Sequence, residues 1–138
     1  MNTTEALLIY KEEIDNRNFF DWMKTQASFI DPLHKYKGTV RLSEDIFEYE
    51  GTDHQGGKHH LLVFSPRQLK GVHYGFDTSY RAIEDRGLGM TFQPLRLEVE
   101  NGNKTFIFYL IFNFNRFMRT STNKEWFEKL NQWRKVSI

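Results

Sequence analysis

The sequence predicts an α+β fold that is mainly β: an antiparallel barrel of six or seven strands capped by a C-terminal helix, with an N-terminal helical arm in front of it. Three observations predict it. Apolar and polar residues alternate with a period of two from Lys37 to about residue 113. Turn chemistry punctuates that region at Gln55-Gly56-Gly57, Ser65-Pro66 and Asn101-Gly102-Asn103. A clear helical period returns only at the end, where Trp126, Phe127, Leu130 and Trp133 fall on one face.

Residues 3–30 read as helical, because Leu7, Tyr10 and Ile14 recur at helical spacing and Phe19, Phe20 and Met23 resume the pattern after Asp15-Asn16-Arg17-Asn18. Pro32 ends this segment, so an arm over 1–36 precedes a barrel over 37–138. Strands at 38–42 and 46–50 flank Ser43-Glu44-Asp45 as a hairpin. A third strand is expected at 59–64, a fourth near 69–74, and a fifth at 95–100 with clean alternation. Asn101-Gly102-Asn103 then turns the chain into the longest strand, 105–113. Phe106, Phe108, Leu110, Phe112 and Phe114 share one face of that strand, and Ile107, Tyr109 and Ile111 share the other. A barrel strand needs only one apolar face, so the arm, a second copy of the chain or a small apolar ligand is expected to cover the second. The final helix carries a capping-box pattern, Thr122 followed by Glu125.

Hairpin strands followed by one amphipathic helix, "TNKEWFEKLNQW" over residues 122–133, resemble the pleckstrin-homology-like superfold, including its bacterial and GRAM-type relatives. The resemblance covers about residues 37–135, and it implies that Trp126 plugs one end of the barrel. The stretch "YGFDTSYRAIEDRG", residues 74–87, would then join the first four strands to the last three. Residues 79–86 are expected to form a short helical turn, with Tyr80 and Ile83 inward and Arg81, Glu84 and Asp85 outward, stopped by Gly87. This segment is either an anchored connection or a recognition loop.

At 138 residues the chain is most economically one domain, and with no cysteine it has neither disulfides nor thiolate metal sites. The cytoplasm is the expected compartment, since the N-terminus lacks a basic region followed by a long apolar run, and no segment is long enough to span a bilayer. Net charge is +1, which argues against nucleic acid as a partner, although residues 1–31 carry −3 and residues 104–138 carry +5. Phosphoinositides, the ligands the resemblance first implies, are not expected: the strand–loop segment at 41–50 has Glu44, Asp45, Glu48 and Glu50 against one arginine, Arg41. His54, His59, His60 and His73 lie within twenty residues, but adjacent His59 and His60 point to opposite faces of a strand, and no metal or other cofactor is expected. No catalytic motif is present; His73 with Asp77 is the nearest approach to a base and its orienter, so no enzyme is expected.

The leading expectation is a noncatalytic interaction domain that binds a protein partner or itself through an aromatic surface and the 75–87 loop. Its contact residues would be Phe76, Asp77, Tyr80, Arg81, Glu84, Arg86, Ile107, Tyr109 and Ile111. The alternative is a small barrel holding an apolar ligand or lipid in an aromatic-lined cavity, for which thirteen phenylalanines and six tyrosines supply the lining. A packed barrel interior would rule the second out, whereas a connected cavity of several hundred cubic ångströms would favour it.

Overall fold

The computed structural model describes residues 2–15, 34–53, 57–77, 79, 93–115, 118 and 120–136. Its strands are β1 (Asn2–Tyr10), β2 (Tyr36–Leu42), β3 (Phe47–Asp53), β4 (His59–Phe64), β5 (Leu69–Tyr74), β6 (Leu95–Asn101) and β7 (Lys104–Phe112). All seven form one antiparallel sheet in the order β4-β3-β2-β1-β7-β6-β5. A short helix, α1 (Lys11–Asp15), follows β1, a 3-10 turn (Pro66–Gln68) joins β4 to β5, and α2 (Asn123–Val136) crosses one end of the sheet.

β1 overturns the expected helix at the start of the chain. Residues 6–10 are apolar at every position, a pattern shared by a helix segment and by a strand buried on both faces. Tertiary pairing decides for the strand: Leu8 lies opposite Tyr36 of β2 and Leu110 of β7, and β1 is the middle of the sheet. Ala6 and Leu8 enter the main core, whereas Leu7 and Ile9 are buried on the opposite face. Residues 2–10 therefore belong to the sheet and not to an arm outside it. Only residues 11–15 of the expected arm are helical, and 16–33, with Phe19, Phe20 and Met23, lie outside the described residues.

The sheet is curled into a half-barrel. Phe64 of β4 and Phe108 of β7 are four strand spacings apart, about 19 Å in a flat sheet. Their ring centroids are 6.1 Å apart. β2 and β3 close tightly at the Gly38–Gly51 pair, where a Cβ on Gly38 would sit 2.1 Å from the Glu50 carbonyl oxygen.

Helix α2 fills one end of this curl. Trp126 stacks on Phe112 at 4.4 Å between centroids, Leu130 is buried, and Trp133 meets Phe64 edge-on while its indole N–H donates to the Ser43 carbonyl at 2.7 Å. The helix starts as the sequence predicts, but the expected capping box is replaced: the Thr122 hydroxyl lies 3.5 Å from the Phe112 carbonyl. Asn123 anchors the start instead. Fully buried, its side chain accepts from the Phe112 N–H at 2.7 Å and donates to the carbonyls of Gln93 and Leu110 at 2.6 and 2.9 Å. It continues the β7 ladder past Leu110, whose partner Leu95 opens β6.

Phe108, Leu110 and Phe112 lie in the core as expected. Phe114 does not share their face. The strand ends at Phe112, Asn113 adopts φ 52°, and the chain swings Phe114 to the outer face beside Ile111 and Leu7. That outer face is covered within the chain: Leu7, Phe76 and Phe114 surround Ile111, and Ile9, Ile14 and Phe76 surround Tyr109. Of the residues read as an arm, Ile14 of α1 lies over this face, whereas Leu7 belongs to the face itself, paired with Ile111. Tyr10, read as part of the arm, packs on the inner face against Phe108.

Candidate functional site

With α2 across one end, the opposite end of the half-barrel holds a cleft of about 530 Å³. Leu61, Leu62 and Val63 of β4 line one side, Val99, Asn101 and Phe106 of the β6–β7 hairpin another, and Tyr10, Glu12, Glu13, His60 and Gln68 complete it. Three consecutive residues of β4 take part because β4 is the last strand of the sheet among the described residues, so its edge as well as its faces meets the cleft. Here the sheet departs from ordinary burial: Leu61, Val63 and Phe106 are 52%, 46% and 40% exposed.

A polar cluster closes the cleft where β1 passes into α1. Glu13 Oε1 accepts the Tyr10 backbone N–H at 2.9 Å, and Glu13 Oε2 accepts from the Tyr36 hydroxyl at 3.2 Å and pairs with the Lys35 ammonium at 2.9 Å. The Tyr10 hydroxyl and His60 Nε2 share a hydrogen bond of 2.7 Å, and the His60 ring stacks on Tyr36 with centroids 4.4 Å apart. Burial pushes the Tyr10 phenol well above its ordinary range, helped by Tyr36 and Glu13. Burial also holds the His60 imidazole below its usual value, against the opposing pull of Glu13, which favours the neutral ring. The site thus presents apolar walls and a small set of fixed polar groups at one end.

The sequence-predicted contact residues are distributed differently. Phe76 lies on the outer face of the sheet with Tyr109 and Ile111, which are each 1% exposed. Asp77 Oδ2 accepts from the Tyr109 hydroxyl at 2.6 Å and from Arg96 Nη1 at 3.1 Å, while its Oδ1 accepts the Ser79 N–H at 2.9 Å. Burial, with Asp77 adding to it, drives the Tyr109 phenol upward. Phe76, Asp77, Tyr109 and Ile111 are therefore brought together, with Phe76 and Asp77 half-buried over the buried Tyr109 and Ile111. Ile107 is half-buried opposite Glu98 of β6. Tyr80, Arg81, Glu84 and Arg86, with the helical turn expected over 79–86, lie outside the described residues apart from Ser79.

His59 is exposed, 3.3 Å from Glu50, whereas His60 points into the cleft, as strand alternation predicts. His73 is exposed on β5, and His54 lies outside the described residues. No group of three or more His, Cys, Asp or Glu is placed to hold a metal among the described residues. No described helix is long and apolar enough to cross a membrane. Sequence reasoning missed Tyr10, Glu13 and Tyr36: Tyr10 was assigned to a helical stripe, and nothing in one sequence brings residues 10, 36 and 60 together until β1 is known to pair with β2. No family model, no curated protein and no solved structure matches the chain.

Proposed function

We propose that the chain is a noncatalytic binding domain of pleckstrin-homology-like architecture that holds a small apolar ligand in the cleft between β4 and the β6–β7 hairpin. One observation carries the reading: an opening of about 530 Å³ lined by large apolar side chains, beside the buried core. Ligand sites commonly measure roughly 300–1,000 Å³ and combine apolar lining with a few placed polar groups. One curled sheet of seven antiparallel strands with a helix across one end supports the architectural part, although five strands, and not the expected four, precede the 74–87 segment, because β1 joins the sheet.

Titration with the neutral fluorophore N-phenyl-1-naphthylamine tests it. Saturable one-site binding is expected, weakened roughly fivefold or more in Phe106→Ala, because truncation removes part of the apolar burial a phenylalanine supplies. Phe106 is well exposed, so the variant keeps its fold. Absence of saturable binding would remove the reading.

A protein partner remains a second reading, favoured by the exposed Leu61 and Val63 on the edge strand. Its contact surface shifts from the Tyr109–Ile111 face, which the chain covers itself, to β4. Loss of self-association or partner binding in Leu61→Lys with Val63→Lys would support it.

A further inference from the structure

We infer that the preferred occupant of the cleft is a hydrophobic amine, whose apolar part lies against Leu62, Val99 and Phe106 and whose ammonium group lies at the Glu12–Glu13 end. The inference rests on the cleft being a ligand site, as proposed above, and adds the sign of the ligand's charge. Two carboxylates, Glu12 and Glu13, line the cleft, and no lysine or arginine lines it among the described residues. Lys35 is the nearby cation, and its ammonium is held by Glu13 at 2.9 Å. Both Glu13 oxygens already accept bonds, from the Tyr10 N–H on one side and from Tyr36 and Lys35 on the other. Glu12 is different. It is exposed at the cleft and makes no ion pair among the described residues.

The aromatic residues of the cleft act in the same direction. Tyr10 and Phe106 contribute aromatic rings to the lining, groups that can hold a cation and offer nothing to an anion. His60 offers an ammonium no like charge while it is neutral. A carboxylate or phosphate head would instead meet Glu12 and Glu13 with no lining cation to receive it, so fatty acids and phospholipids are disfavoured relative to amines of the same apolar size.

The test uses the whole chain and three probes with one alkyl chain and different heads: octylamine, octanol and octanoate, titrated by calorimetry at pH 7 and low salt. Octylamine is expected to bind about threefold or more tighter than octanol, the scale of one partly exposed ion pair, with octanoate weakest. Glu12→Gln, an exposed substitution, should bring octylamine close to octanol and leave octanol unchanged. Equal affinity for all three, or octanoate binding tightest, would overturn the amine assignment while leaving the cleft as an apolar site. Failure of all three to bind would overturn both.

Discussion

Replacing Asn123 with alanine is a sharp test of how the helix is fixed to the sheet. Its side chain is fully buried and makes three hydrogen bonds to backbone groups: the Phe112 N–H, the Gln93 carbonyl and the Leu110 carbonyl. A satisfied hydrogen bond contributes about 1 kcal/mol net, and a buried backbone group left without its partner costs about 1–3 kcal/mol. Three groups lose a partner at once. Water entering the vacated space recovers part of the loss, so the expected destabilisation is about 3–5 kcal/mol. In a domain of 138 residues that lowers the melting temperature by roughly 10–15 °C. Thermal unfolding followed by circular dichroism, with the fluorescence of Trp126 and Trp133 as a second probe, measures it. A loss below about 1 kcal/mol, with both probes melting together, would refute the reasoning that this amide continues the β7 ladder.

Two further outcomes are expected. Asp77→Asn should destabilise the chain by about 1–3 kcal/mol in urea titration, because the charged acceptor of Tyr109 and Arg96 is lost; a change within about 0.5 kcal/mol would show that the segment after β5 does not depend on it. His60, which Tyr10, Tyr36, Glu13, Lys35 and His59 surround, has its folded value depressed by burial below an unfolded value of about 6.5. The unfolded chain therefore takes up the proton first: stability is whole above about pH 6.5 and declines as pH falls toward the folded value. His60→Gln should flatten that part of the stability profile, and a variant that keeps the full decline would place its origin elsewhere.

Local pattern made much of the sheet legible. β4, β5 and β6 fall where alternation and the Gly-Gly, Ser-Pro and Asn-Gly turns place them, and α2 starts where the apolar face begins. β1 was not legible, because a run that is apolar at every position has no period, and its strand form comes from β2 and β7 pairing along both edges. That one error hid the candidate site. With β1 read as a helix, Tyr10 belonged to an arm, and its meeting with Tyr36 and His60 had no basis in sequence. Phe114 failed for a local reason: alternation assigns a face only while the strand continues, and Asn113 turns the chain one residue after Phe112. The need for cover on the Tyr109–Ile111 face was legible from composition alone. The identity of the cover was legible only at Ile14; Leu7 is part of the covered face, and Phe76 and Phe114 have other roles in the sequence reading.

Ligand binding in the cleft between β4 and the β6–β7 hairpin can be read residue by residue from amide chemical-shift mapping with octylamine on the ¹⁵N-labelled chain. Saturable shifts are expected at Tyr10, His60, Leu62, Val99 and Phe106, with Phe112, Trp126 and Leu130 at the helix-filled end unmoved. Shifts centred on Phe76 and Asp77, or scattered over the surface without saturation, would contradict it.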